Sequence, residues 1–175
     1  MKTLLLLLAL LGCATAASAR EPEFSYMTLN GITQVAAIAE DIPTDLIAIG
    51  LKPALFEERA HRVLEAAGIR AVTLAEALSA PGAGKLRIRL ITNRDGYGIY
   101  YFGVKLELRQ KIALGNPAGG FVSQVVWSDG ESGQMMASEF DKPLSALDRL
   151  LARLIADHQA QNGASMPAAS AAASH

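Results

Sequence analysis

Two stretches of alternating polarity dominate the chain. From Lys85 to Thr92 (KLRIRLIT), Leu86, Ile88 and Leu90 share one face and Arg87 and Arg89 the other. From Gly98 to Leu114 the apolar set is Tyr100, Phe102, Val104, Leu106, Leu108, Ile112 and Leu114. Asn93-Arg94-Asp95-Gly96 supplies turn residues between the two, so they read as an antiparallel hairpin. Placing both apolar faces on one core sets Leu90 opposite Tyr100, Ile88 opposite Phe102 and Leu86 opposite Val104. On the other face Arg89 then meets Tyr101 and Arg87 meets Gly103. At about 3.3 Å per residue, Gly98 to Leu114 would span roughly 56 Å, so this strand bends, bulges or projects. Gly103 is the least costly place to bend.

Gly115 to Gly120 forms the next turn, and Phe121 to Ser128 (FVSQVVWS) a third long strand. Its expected partners are Ile112 with Val122, Gln110 with Gln124 and Leu108 with Val126, which leaves Phe121, Val125 and Trp127 on the outer face. Gly31 to Glu40 reads as a strand and Asp41 to Gly50 as loop. Ile69 to Thr73 reads as a brief strand, Leu74 to Gly84 as one helical turn at most, and Asp129 to Glu139 as a polar loop.

The helical period appears twice. Lys52 to Ala67 carries Phe56, Ala60, Val63, Leu64 and Ala67 on one stripe, with Pro53 in its first turn. Gly68 at C′, with Leu64 at C3 and Ile69 at C″, forms a Schellman stop. Asp141 caps a second helix from Lys142 to about Gln161, with Leu144, Leu147, Leu151, Leu154 and Ile155 as its stripe. The fold class is therefore α+β. It is a two-layer sandwich in β-α-β-β-β-α order, a mainly antiparallel sheet with two helices on one face.

Composition narrows the function classes. The 175 residues are 51% hydrophobic with 16 basic and 17 acidic side chains, which excludes long disorder, collagen and a coiled-coil rod. A near-neutral domain lacks the basic stripe that phosphate backbones demand, so nucleic acid is no partner. A membrane is engaged only through a lipid anchor, if one exists.

That condition arises at the start of the chain. Lys2 precedes an unbroken apolar run, Leu4 to Leu11, far shorter than the roughly 20 residues of a bilayer span. Residues 1–19 read as a signal peptide ending in Ala17-Ser18-Ala19. The alternative is a lipobox, Leu10-Leu11-Gly12-Cys13, in which Cys13 is lipidated and becomes the first residue. The chain is expected in the periplasm, or as an outer-membrane lipoprotein in the second case. Residues 20–161 then form one domain and 162–175 a disordered Ala/Ser tail. Cys13 is removed or acylated, so the mature fold has no disulfide or thiolate nucleophile.

No catalytic, cofactor-binding or metal-ligating residue is assigned. His61 and His158 sit on helices and read as solvated residues; His175 lies in the tail. Gly130-Glu131-Ser132-Gly133 lacks the spacing of a nucleophile elbow, and Gly82 to Lys85 lacks the residues of a phosphate loop. An enzyme remains the alternative, a small hydrolase with a cleft between loop Asp129–Glu139 and the first helix.

The outer sheet face is more informative. Arg89, Tyr101, Phe121, Val125 and Trp127 are all expected there, on a surface that is ordinarily polar. Either the lead-in or the tail covers this face, or it is an interaction surface. In the second case Trp127 and Tyr101 are anchors, with Arg89 stacked on Tyr101. A second copy of the chain, as a homodimer, or an envelope protein would be the partner.

Three segments carry a resemblance: Leu64-Glu65-Ala66-Ala67-Gly68-Ile69, the run Tyr101 to Gln110, and Val125-Val126-Trp127-Ser128. They resemble a group of small secreted bacterial proteins without an assigned function. In element order the chain is also similar to envelope assembly and lipid-transport auxiliary lipoproteins, an analogy of fold that transfers no residues. The export signal and the outer sheet face together lead to the expectation of an exported, non-enzymatic binding or assembly module working through that face, with the small hydrolase as the alternative.

Overall fold

The structure, a computed structural model, describes residues 28–113 and 120–163. The signal segment, Cys13, the start of the lead-in, most of the turn before Phe121 and the chain beyond 163 lie outside them. The elements are β1 (Gln34–Glu40), α1 (Thr44–Ala48), α2 (Pro53–Ala66), β2 (Arg70–Ala71), α3 (Leu74–Ser79), β3 (Ala83–Arg94), β4 (Tyr100–Ala113), β5 (Phe121–Met135) and α4 (Asp141–Gly163). They form an α+β fold around one five-stranded sheet in the order β2-β1-β3-β4-β5. The sheet is mixed: β1 runs parallel to β2 and β3, whereas β3, β4 and β5 form a long antiparallel meander.

One face of the sheet buries Val35, Ala37, Leu86, Ile88, Leu90, Val104, Leu106 and Leu108 against Phe56, Ala60 and Leu64 of α2 and Leu147, Leu150, Leu151 and Leu154 of α4. Helix α2 ends as its sequence requires. Gly68 adopts φ 82°, and the amides of Gly68 and Ile69 donate to the carbonyls of Glu65 and Leu64. Two expectations are corrected nearby. The supposed loop after β1 contains the one-turn helix α1, and α3 packs on the opposite face of the sheet. There it buries Ala36, Val72, Ala77 and Ala83, entered through a capping box between Thr73 and Glu76.

Both hairpin registers depart from expectation in instructive ways. Leu90 pairs with Val104 rather than Tyr100, Leu86 with Leu108, and Arg87 with Glu107 rather than Gly103. The displacement is four residues, an even number, so every side chain keeps its face. Asp95 causes it. Its Oδ1 accepts from the amides of Tyr97 and Ile99, both at 2.9 Å, closing the loop behind Arg94 and Tyr100.

Between β4 and β5 the expected pairs Ile112–Val122 and Gln110–Gln124 form, and then the register slips by one. Arg109 faces Val125 and Leu108 faces Trp127, with Val126 as the extra residue. The irregularity falls there and not at Gly103. Beyond it β5 continues to Met135, so Asp129 to Met135 is strand, not loop.

Candidate functional site

The bulge decides which side chains reach the outer face. Because one residue is inserted, Trp127 and its alternate neighbours Asp129, Glu131, Gly133 and Met135 turn toward the helices. Trp127 packs against the core and donates its indole N–H to Asp157 Oδ2 of α4 at 2.8 Å. One turn back along α4, Arg153 bonds Asp129 at 2.7 Å, and one turn further Arg149 bonds Glu131. Trp127 is thus removed from the proposed outward surface. The cleft between an Asp129–Glu139 loop and α2 does not form either, because β5 occupies that stretch and α4 lies between β5 and α2.

Arg89, Tyr101, Phe121 and Val125 do lie on the outer face, but not as one patch. Tyr101 pairs with Asn93 and Gln134, whereas Arg89 pairs with Lys105, so the expected stack of Arg89 on Tyr101 is absent. Phe121 lies 13 residues down β5 from Gln134, about 43 Å at 3.3 Å per residue. Phe121 caps the far end of the hairpin, where Lys111 Nζ lies 6.0 Å from its ring centroid.

The centre of the outer face is a charge lattice that sequence patterning left as scattered polar positions. Glu40 accepts from Lys85 at 2.6 Å and Arg87 at 2.7 Å. Glu107 accepts from Lys105 at 2.8 Å and faces Arg87 at 3.5 Å and Arg109 at 3.9 Å. Arg89 reaches Asp41 at 3.5 Å. The hydrogen bond from Lys105 holds the Glu107 carboxyl below the usual range, against the opposing effect of burial, and Arg87 and Arg109 add to it. Lys85 does the same for Glu40, followed by Arg87. With Lys111, six cations stand with three carboxylates across β1, β3 and β4 among the described residues, and at the β2 edge of the same face Arg70 lies near Glu76 of α3. Beside the lattice, Ile91 is 58% exposed and Tyr101 45%; Gly103 on β4 pairs with Ile91 and lies two residues from Tyr101.

Elsewhere the chemistry is structural. His158 is half-buried and its Nε2 lies 2.7 Å from the Ile32 carbonyl, so it is no solvated bystander. His61 is also half-buried, with Nε2 shielded and unpartnered. A groove of about 420 Å³ between α2 and α4 is lined by Arg59, Arg62, Val63, Ala66 and Asp148. Arg59 spans it with two bonds to Asp148, at 2.6 and 2.5 Å. Among the described residues no three His, Cys, Asp or Glu side chains gather as a metal site, and no helix is long and apolar enough to cross a membrane.

No family model matches the chain, and no curated protein matches it. Among solved structures it is similar to a point variant of PelC from Paraburkholderia phytofirmans, a dodecamer. That chain is 17% identical, with 75% of this chain and 89% of the other covered and a TM-score of 0.45. A minor lipoprotein from Acinetobacter baumannii is 12% identical over 74% of this chain and 93% of the other, with a TM-score of 0.34.

Proposed function

We propose that this chain is an exported, non-enzymatic binding or assembly module that meets its partner through the outer face of the sheet. The observation that carries the reading is the pairing of exposed Ile91 and Tyr101 with an adjoining lattice in which cations outnumber carboxylates. A solvated face is ordinarily polar, and aromatic side chains and arginine are enriched at contact surfaces. Export rests on the sequence: a basic start and the short apolar run Leu4 to Leu11, with Cys13 as the lipid acceptor if the lipobox is used. Residues 20–161 serve as the working domain.

The test is site-specific photocrosslinking in cells, with the reactive residue at position 101 or, as a helix-side control, at position 62. An adduct formed from 101, absent from 62 and lost in a folded Ile91→Glu variant, supports the reading. Equal adducts from both positions, or none from 101, overturn it. Labelling with a fatty-acid analogue in wild type and Cys13→Ser decides between cleavage and lipidation.

A further inference from the structure

We infer that the outer face receives an extended, acidic segment of a partner protein, laid across β4 at Gly103. This inference rests on the outer-face reading above and names the chemistry of its occupant.

Glycine weakens a strand interior, and where it stands there it often marks a bulge, a tight bend or a close approach of another backbone. Four glycines lie inside the described strands. A Cβ at Gly84 would meet Leu108 Cδ1 at 2.8 Å, one at Gly133 would meet Phe102 Cζ at 2.8 Å, and one at Gly130 would touch the Val104 carbonyl oxygen at 3.5 Å. At Gly103 it would meet nothing within 4 Å, and the backbone there is ordinary strand. Nothing among the described residues gives a reason for this glycine. Its neighbours across the sheet are exposed Ile91 on β3 and Ser132 on β5, so it forms the floor of a shallow dip open to solvent. Close approach of another backbone is what such a floor permits.

Charge specifies what approaches. One residue pair further along, Arg89 and Lys105 face each other, and beyond them Arg87 pairs with Glu107. Among the described residues of this face, with Arg70 answered by Glu76, three positive charges are left over, on a chain whose formal net charge is −1. Glu107 is already shared by three cations, so further carboxylates are the missing partners. Ile91 directly opposite Gly103, and Tyr101 two residues along β4 on the side away from Lys105, offer an apolar seat. The complement is a strand-like segment with carboxylates at one end and an aromatic or aliphatic side chain at the other.

A labelled random copolymer of glutamate and tyrosine is the probe, titrated against the purified protein by fluorescence anisotropy. Binding is expected, weakening as salt rises. Gly103→Thr fills the dip with a β-branched residue that suits a strand. It is expected to match or exceed wild type in thermal stability while binding the copolymer about tenfold more weakly. Arg89→Glu/Lys105→Glu is expected to abolish binding. Unchanged affinity in a folded Gly103→Thr overturns the inference, as does tighter binding of heparin or of phosphatidylglycerol vesicles than of the copolymer. If the copolymer fails while position 101 still crosslinks in cells, the acidic occupant is wrong and the outer-face reading stands. If both fail, both fall.

Discussion

The indole N–H of Trp127 on β5 donates to Asp157 on α4 at 2.8 Å, and the same seam continues through Asp129–Arg153 and Glu131–Arg149. Two residues along a strand advance about 6.6 Å and four along a helix about 6.0 Å, so the two elements stay in step across three pairs. The Val126 bulge brings these alternate strand residues to the helix side. The seam covers the inner side of the sheet's last strand with inward-pointing carboxylates and their cations, a recognised device at sheet edges.

Trp127 is the sole tryptophan, so its fluorescence reports this seam directly. Trp127→Phe keeps most of the packing and loses the hydrogen bond, with an expected cost of about 1 kcal/mol in urea unfolding. Trp127→Ala also leaves a void and is expected to cost about 2–3 kcal/mol, below the range for a fully buried ring. Unchanged stability in Trp127→Ala would return the indole to the outer surface.

Gly133 and Phe102 show why the bulge occurs. They face each other across β4 and β5, and a Cβ on residue 133 would sit 2.8 Å from Phe102 Cζ and 3.0 Å from Cε1. Gly133→Ala is expected to cost about 1–3 kcal/mol through overpacking. Phe102→Leu frees that space, so the double variant should lose less than the two single losses together. Additive losses would mean the ring and the glycine are not in contact.

These two pairs also mark the limit of what the sequence discloses. Alternation placed Leu86, Ile88, Leu90, Val104, Leu106 and Leu108 in the core correctly. It survived a four-residue register displacement because parity is all that the core requires. The Schellman stop at Gly68 was legible because three consecutive residues specify it locally. The bulge was not, since an inserted residue is recorded only in long-range matches: Gly133 under Phe102, Met135 buried, and carboxylates two apart answering arginines four apart. Asp129 to Gly133 therefore read as a loop. The outer lattice was half legible: its cations showed in the alternating pattern, but which carboxylates they share depends on the β1–β3 register.

The lattice and the seam both make acid destabilising. Glu40, Glu107 and Glu131 are held below the ordinary carboxylate range, foremost by hydrogen bonds from Lys85, Lys105 and Arg149 respectively. A lowered folded value means the stabilisation is complete above the unfolded value, about 4.3 for Glu, and is lost as pH falls through the folded one. The urea midpoint is expected to hold from pH 7 to about pH 5 and decline below it. Glu107→Gln should be less stable than wild type at pH 7, and the two should converge at low pH. A constant difference across the range would show that Glu107 contributes by packing and not by charge.

Helix α4 ends later than its apolar stripe suggests, because its last turn holds the chain entering β1. Gln161 Oε1 accepts from the Leu29 amide at 2.6 Å, Asn162 Oδ1 from the Gly31 amide at 3.1 Å, and Asn162 Nδ2 donates to the Leu29 carbonyl at 3.2 Å. The His158 Nε2–H donates to the Ile32 carbonyl one turn earlier. Leu29 and Ile32 are themselves fully buried, so these bonds satisfy backbone groups that would otherwise be stranded near the core. Asn162, the expected start of the tail, lies within α4. A stop after Gly163 should leave the unfolding midpoint in place. A stop after Asp157 removes all four bonds, at about 1 kcal/mol each, and should cost roughly 3–4 kcal/mol. Amide exchange at Leu29 and Gly31 should accelerate in the shorter chain alone. If both truncations unfold like the full chain, apolar burial of Leu29 and Ile32 suffices to hold the segment and the polar clamp is dispensable.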